Sequence, residues 1–529
     1  MHIVIADQLP ASAVEILRSV PGWTVDARTQ RPADELARDL AEADALIVRS
    51  ATTVDAQVIA NASKLRVIAR AGTGIDNVDV PAATDRGIVV MNSPGANSVS
   101  VAEHALALML ALARAVPAAD AAMKRGVWDK KRLTGAELRG KTLGVIGLGR
   151  IGQAVAARAR AFGMDVIAHD PFISEQIAAS LNIELLSVDD VCARADYLTL
   201  HVPATGETRH LLDARRLALC KKGIRIVNTA RGELIDEAAL ADAIERGHVG
   251  GAGLDVFEQE PPANGRLTTL PQVVATPHIA ASTIEAQELV GTETALNVRD
   301  FLRDGVIRNA VNFPALPAEE YALARPWMQL AGRLGSLVAQ LATGRTHAVG
   351  IRYYGPLVSA RSEMLASAVV AGLLKPLLSS AVTIVNARSV AVQRGIEIIE
   401  TRSSRPRDFT NLLSVKLHTS DGERWVEGTV FEPGSPRLAA VDGVEIEAPL
   451  EGTLIVLTNN DQPGVIGEVG TILGRHGLNI ANFALGRGPS GAVGLVKIDE
   501  PSDDGGSLQR AVEEIRSANA IRTAALVRV

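Results

Sequence analysis

The stretch Leu143–Ala156, LGVIGLGRIGQAVA, carries Gly147, Gly149 and Gly152 in the spacing G-x-G-x-x-G. In a chain with 46 glycines that spacing alone is a weak signal. Its surroundings strengthen it. An apolar run precedes it, and a stretch without helix breakers follows to about Phe162. The next apolar run, MDVIAHD, ends in Asp170, 23 residues after Gly147. This order predicts a strand, a tight turn and a helix that together hold a dinucleotide. Gly147 allows the turn, Gly149 lets the backbone approach a pyrophosphate, and Gly152 permits close helix–strand packing. The N–H groups of Arg150 and Ile151 then point at phosphate from a helix N-terminus. Asp170 can accept hydrogen bonds from the adenosine ribose and would repel a 2′-phosphate, which favours NAD over NADP.

On the N-terminal side, HIVIAD, ALIVRS, LRVIARAG and GIVVMNS read as strands alternating with helical stretches, the pattern of a parallel α/β layer. SVSVAEHALALMLALARAV follows as a helix, apolar nearly all round and so expected to be buried. Its start is expected at Ser100, which has capping-box spacing to Glu103. From Lys141 onward, six strand candidates (TLGVIG, MDVIAHD, YLTLHVP, IRIVNTARG, GAGLDVF and QVVATPHIA) predict a doubly wound sheet. After RNAVNFPALP the character changes: residues 317–448 mix helices with hairpin strands, and residues 452–529 read βαββαβ, a ferredoxin-like order.

Bulk properties set limits. A chain of 529 residues exceeds what one core can serve, so about three or four domains are expected. A net charge of −6 offers no basic field for nucleic acid. Cys192 and Cys220 make neither a CxxC pair nor a disulfide framework, which fits a reducing cytosol, and no metal site is read. MHIVIADQLP reads as a first strand and not as a signal peptide. The longest apolar run, Ala105–Ala113, is half the length of a membrane span, so no membrane is expected and the location is read as cytoplasmic.

Three further stretches carry chemistry. Arg231 in NTARGELIDE follows an apolar strand and so sits at the carboxyl edge of the sheet, where ligands bind. Glu260 lies in LDVFEQEPP, and His278 in TPHIAAST follows another strand. An arginine, an acid and a histidine at strand ends beside a nicotinamide suit hydride transfer from an alcohol. The histidine takes the hydroxyl proton, the acid fixes its tautomer, and the arginine holds a carboxylate bidentately.

With these motifs, together with VRSATTVDAQVIANASKLRVIARAGTGIDNVDV, the chain resembles the long-form members of the D-isomer-specific 2-hydroxyacid dehydrogenase family that act on D-3-phosphoglycerate. The resemblance covers nearly the whole chain. It implies that Arg231, Glu260 and His278 are the catalytic set, with His278 as acid and base and Glu260 as its partner. It places Thr73, Arg150, Ile151, Asp170, Thr229, Ala230, Arg231, Asp255 and His278 at contacts to NAD, with Asp255 on the nicotinamide carboxamide. It implies a split outer domain, 1–97 and 283–312, around an NAD domain of 98–282, then an intervening domain (317–448) and an ACT domain (452–529). That revises the bare reading of two consecutive α/β domains. A phosphorylated substrate needs further cations: Arg49 and Arg70 each follow an outer-domain strand, amides near Ser50 and Gly72–Gly74 can add donors, and Asn97 matches a substrate-contacting position. In the ACT-like piece, Asp461 and Asn479 fall where an amino acid such as L-serine would bind, while Asn459 stands where relatives often carry His or Tyr. The basic stretch Lys124–Arg132 reads either as a reach toward a neighbouring subunit of a homotetramer or as a solvated face, and Arg402, Arg405 and Arg407 as an anion site or a solvated loop. Two rivals stay open: another NAD-dependent 2-hydroxyacid dehydrogenase, and an NAD(H)-sensing binding protein on the same fold.

Overall fold

Four sheets follow one another along the chain in the computed structural model, which describes residues 1–529 apart from 263–264, 317, 360, 379–381, 490 and 500–505. The expected boundary at residue 317 therefore lies outside the described residues. The first sheet runs Thr24–Asp26, His2–Ile5, Ala45–Val48, Val67–Arg70, Val89–Met91, all parallel. Its inner strands are buried on both faces, which is why they read as unbroken apolar runs. The chain returns to this sheet far downstream. Ala295, Val298, Phe301 and Leu302 of the helix Ile284–Asp304 enter its core, and Asn312 Oδ1 accepts the Val90 N–H at 2.9 Å.

The second sheet has seven parallel strands in the order Val273–Ala275, Val249–Leu254, Ile224–Asn228, Tyr197–Leu200, Thr142–Ile146, Asp165–His169, Glu184–Leu185. The sequence predicts six; the seventh is a two-residue edge strand, too short to leave a period. The order reverses between Thr142–Ile146 and Tyr197–Leu200, and ligands of such sheets bind at the carboxyl ends beside that point.

The long apolar helix spans Ser98–Arg114, with Asn97 at its N-cap, and so starts two residues before the capping-box position. The box does not form because both its members are used elsewhere: Ser100 Oγ lies 2.7 Å from Thr283 Oγ1, and Glu103 pairs with Arg158 at 3.8 Å. Among the described residues no single helix is long and apolar enough to cross a membrane.

The third sheet, six-stranded, packs against the helices Ala318–Leu341 and Ser362–Leu374. The fourth is antiparallel in the order Ile480–Gly488, Gly491–Ile498, Thr453–Asn459, Ile521–Arg528, with Val465–Arg475 and Ser507–Ser517 covering one face. Its other face (Leu454, Val456, Val493, Leu495, Val527) joins the core of the third unit. Arg333 Nη1 donates to Leu450 O at 2.8 Å and Gln340 Nε2 to Arg528 O at 3.0 Å across that seam. The third unit is tied in turn to the first sheet's layer, where Thr383 Oγ1 donates to Gly87 O at 2.8 Å and Asn386 Nδ2 to Asp85 O at 3.1 Å.

Candidate active site

The glycine turn has the three properties the spacing demands. Gly147 adopts φ +94°, and a side chain there would strike His201 O at 2.6 Å. A Cβ on Gly152 would lie 2.0 Å from Gly147 O, so only glycine lets the helix Arg150–Ala161 sit this close to its strand. A Cβ on Gly149 meets nothing within 4 Å: that face is open to a ligand. Asp170 is drawn into the turn, accepting the Leu148 N–H at 2.7 Å and the Phe172 N–H at 2.8 Å. Arg150 reaches across to Pro94 O. Thr229 Oγ1, at the end of the next strand but one, is buried without a hydrogen-bond partner. An open glycine face at a helix N-terminus and an orphaned hydroxyl on the same sheet edge fit a dinucleotide.

At the end of Val273–Ala275 the chain turns sharply. His278 lies in the left-handed region at φ +52°, a conformation costing about 1 kcal/mol or more for a residue with a side chain. Backbone bonds hold it there: its N–H is donated to Asp255 O at 2.8 Å. Its Nδ1 stands 2.7 Å from Glu260 Oε2, while Glu260 Oε1 accepts the Phe257 N–H at 3.1 Å. An ionised carboxylate only accepts, so Nδ1 carries the proton and Nε2 is left as the basic nitrogen, on a side chain 52% exposed.

Asp255, expected at the nicotinamide carboxamide, is hydrogen-bonded into the turn that carries His278. It is fully buried, and its carboxylate accepts from Thr276 Oγ1 (2.6 Å), Ile279 N–H (2.9 Å) and Ala280 N–H (2.8 Å), with His104 Nε2 at 3.4 Å. Burial pushes its pKa up, but these hydrogen bonds outweigh burial and leave it below the usual carboxylate value. In this structure the side chain organises the His278 turn and presents no exposed oxygen to a ligand.

Arg231 is poised by its own loop: Asn228 Nδ2 donates to Arg231 O at 2.7 Å, and Ala230 N–H to Asn228 Oδ1 at 3.0 Å. Its guanidinium crosses the cleft to Asp76 of the first layer, Nη2 to Oδ2 at 2.8 Å and Nε at 3.1 Å. Arg70 lies near it. Burial, then the charges of Arg231 and Arg49, push the Arg70 pKa below its usual value. Three guanidiniums thus converge on the space between the layers. Gly72 and Gly74 line it, since side chains there would meet Arg70 Nη1 at 2.4 Å and Arg231 Nη2 at 2.0 Å. Ser50 is exposed on the loop after Arg49. Thr73 Oγ1 donates to Asn97 Oδ1 at 2.9 Å, joining this loop to the helix Ser98–Arg114.

Three stretches match family models: residues 106–280 the D-isomer specific 2-hydroxyacid dehydrogenase NAD binding domain, 323–442 the D-3-phosphoglycerate dehydrogenase intervening domain, and 453–519 the ACT domain. The chain is 41% identical over 530 residues to D-3-phosphoglycerate dehydrogenase of Methanocaldococcus jannaschii, covering 100% of this chain and 99% of that one. It is 44% identical over 525 residues to the Mycobacterium leprae enzyme of the same name, covering 98% of each. The chain belongs to the D-3-phosphoglycerate dehydrogenase branch of the D-isomer-specific 2-hydroxyacid dehydrogenase family. Solved structures resemble part of it: D-lactate dehydrogenase from Aquifex aeolicus complexed with NAD and lactic acid (29% identity, TM-score 0.52, 60% of this chain and 100% of that one). A glyoxylate reductase from Paecilomyes thermophila is similar over 59% of this chain and 98% of its own (30% identity, TM-score 0.55). This family member is an NAD-dependent oxidoreductase with a small-molecule substrate and a C-terminal domain of a regulatory type.

The regulatory end of the dehydrogenase is less open. Asp461 pairs with Arg487 at 3.1 Å, and Asn479 Nδ2 donates to Asp499 Oδ2 at 2.6 Å. Asn459 is buried, with Oδ1 accepting the Asp461 N–H at 2.8 Å and Nδ2 left without a partner. In the intervening domain, Arg402, Arg405 and Arg407 line a cavity of about 660 Å³ with Tyr354 and Phe409. Arg407 departs from the solvated-loop reading: it is bonded to Glu427, which is 2% exposed on its side chain, and lies over the Tyr354 ring. In the stretch Lys124–Arg132, Lys124 pairs with Asp120 at 2.6 Å, and Trp128 stands 80% exposed.

Residue-by-residue reading of the sequence missed the side chains that aim the arginines. Asp7 accepts the N–H of Arg49 at 2.5 Å and the Thr52 hydroxyl at 2.6 Å. Asn77 donates to Arg49 O and Thr52 O, both at 2.6 Å, and accepts from Arg70 Nε at 3.0 Å. Asp76 and Asn77 lie in the stretch GTGIDNVDV, so the available signal was their adjacency to the loop after Arg70.

Proposed function

We infer that the chain oxidises D-3-phosphoglycerate to 3-phosphohydroxypyruvate with NAD, the first step of L-serine biosynthesis. The observations that support this reading are Arg70 lying near Arg231 and Arg49, with Gly72 against Arg70 and Gly74 against Arg231, and the hydrogen-bonded His278–Glu260 pair at the same carboxyl edge of the sheet as Arg231. A substrate with a carboxylate at one end and a phosphate dianion at the other meets those charges as no neutral alcohol would. Arg231 takes the carboxylate from Asp76, Arg49 and Arg70 take the phosphate, and amides of the Ser50 and Gly72–Gly74 loops complete the cradle. Asn97 orients the substrate from the helix start.

The open Gly149 face and the orphaned Thr229 hydroxyl hold the dinucleotide, with the amides of Arg150 and Ile151 on its phosphates and Asp170 on its ribose. Thr73 and Ala230 line the same space. NAD supplies the hydride acceptor. As the C2 hydrogen leaves with its electron pair, the hydroxyl proton passes to His278 Nε2, and Glu260 stabilises the imidazolium through Nδ1. Arg231 polarises the C2 oxygen while that charge shifts.

The ACT match supports an amino-acid effector, and L-serine, the end product of the route, is the reading we favour, acting at Asp461 and Asn479 of a homotetramer in the cytoplasm. The test is NADH absorbance with D-3-phosphoglycerate, glycerate and D-lactate in turn, with NAD or NADP, and with or without L-serine. Preference for the phosphorylated substrate and for NAD is expected. Equal turnover of glycerate would move the chain to another 2-hydroxy acid, and no turnover of any of them would leave a binding protein.

A further inference from the structure

We propose that His104 and Ser100, on the helix Ser98–Arg114, are positioning residues that clamp both ends of the segment carrying His278; this rests on the reading of His278 as proton acceptor. The two are four residues apart, so they share one helix face. His104 Nε2 lies 3.0 Å from Thr276 Oγ1. Ser100 Oγ lies 2.7 Å from Thr283 Oγ1, which in turn caps the helix Ile284–Asp304 by accepting the Ala286 N–H at 3.1 Å. Thr276 and Thr283 are the two ends of the turn, and His278 sits between them.

Proton counting assigns the direction of each bond. A threonine hydroxyl has one proton to donate. Thr276 gives its proton to Asp255 Oδ1 at 2.6 Å, so toward His104 it can only accept. His104 must therefore carry its proton on Nε2, and that N–H also faces Asp255 Oδ1 at 3.4 Å. The buried Asp255 carboxylate then collects Thr276, Ile279 and Ala280, while its carbonyl takes the N–H of His278. His104 completes the donor set of a carboxylate that would otherwise sit buried with one group fewer, and burial without donors is costly. The clamp adds side-chain bonds to a turn whose histidine is in the costly left-handed region, where its backbone bond to Asp255 O also holds it.

The same helix begins at Asn97, bonded to Thr73 of the opposite cleft wall. One rigid element thus touches the loop beside Arg70 at its start and the histidine turn one and two turns later. Distance between hydroxyl and base nitrogen is set through it.

The experiment compares His104→Leu, His104→Gln and Ser100→Ala in the full chain. Gln offers an Nε2 donor at similar reach; Leu fills the space with none. Readouts are kcat and KM, NADH affinity, and amide hydrogen exchange along 276–283. For His104→Leu we expect exchange at Ile279 and Ala280 about tenfold faster or more, with the rest of the NAD layer unchanged. Its kcat should fall about tenfold, since a small misplacement of a base is enough, with KM for NAD unmoved. His104→Gln should restore both. Ser100→Ala should loosen the Thr283 end with a smaller loss of kcat. Unchanged exchange and kcat in His104→Leu would overturn the proposal. So would faster exchange throughout the domain with no rescue by Gln, which would make His104 a packing residue. If the wild type turns over no 2-hydroxy acid, the role of His278 falls instead, and the exchange data alone decide whether the clamp exists.

Discussion

In the cleft, Arg49, Arg70 and Arg231 lie close enough for their charges to press on one another; in the C-terminal unit, Asp461 and Asn479 are each matched by a neighbour, Arg487 and Asp499. In the first, Arg231 is held by Asp76, but among the described residues Arg49 and Arg70 make no ion pair, so the cleft keeps positive charge that suits an anion. The second is at rest. A site whose polar groups are already paired is either inert or half of something, and becomes a site when a second surface supplies what the first lacks. On the proposed reading, the catalytic groups lie within one chain and control uses two.

The sharpest way to break the first half of that statement is at His278. With Nδ1 held by Glu260, Nε2 is the proton acceptor on the proposed reading, so His278→Ala should lower kcat by about 10²–10⁴, the usual worth of a general base. NADH binding, followed by fluorescence, should survive, because the glycine turn is untouched. Activity within a few-fold of wild type would remove His278 from that role.

A smaller effect is expected at the phosphate end. Arg70→Ala or Arg49→Ala should weaken D-3-phosphoglycerate by about 1.5–3 kcal/mol, the range of a charge-assisted hydrogen bond. The loss should be far smaller for an unphosphorylated 2-hydroxy acid. KM measured on both substrates decides: equal losses would mean that these arginines hold the fold or the carboxylate.

These two sites also differ in how far the sequence betrays them. The glycine turn was legible because its demands are local: a positive φ at Gly147, a close approach at Gly152 and an open face at Gly149 all follow from backbone geometry. Arg231 and His278 were legible because strand ends in such sheets point at ligands. The residues that hold Arg49, Arg70 and the His278 turn were not. Asp7, Asn77 and His104 act through contacts 25 to 172 positions away (Asn77 to Arg49 and Thr52, His104 to Thr276), and nothing in a helical or strand period marks a side chain for such a task. Asp255 shows a second task that its position in the sequence did not announce: its buried carboxylate ties the His278 turn together. Edge strands such as Thr24–Asp26 and Glu184–Leu185 escaped because two or three residues cannot display alternation.

The last test addresses the resting site and should leave uninhibited turnover untouched. Asp461 has φ +53°, turned outward at the mouth of the strand Thr453–Asn459, and is held by Arg487, whose side chain is 75% exposed. An ion pair so exposed contributes about 0–1 kcal/mol, so an incoming ammonium group can displace Arg487 at little cost. Asn479 stands just before the edge strand Ile480–Gly488 with its amide on Asp499, and in a second copy its carboxamide can serve an amino acid's other end. If two copies close over L-serine through these groups, inhibition works by favouring one arrangement of the oligomer, and any effect on substrate affinity must be mirrored in the affinity for serine. Asp461→Ala should then raise the serine concentration for half-inhibition by about tenfold or more, the loss of one charge-assisted bond, with kcat in the absence of serine unchanged. A chain ending near Asn312 provides the control. Inhibition that persists in it places the serine site in the cleft. Inhibition that is absent even in the intact chain leaves the C-terminal unit as an assembly module, and the paired groups of Asp461 and Asn479 as surface structure.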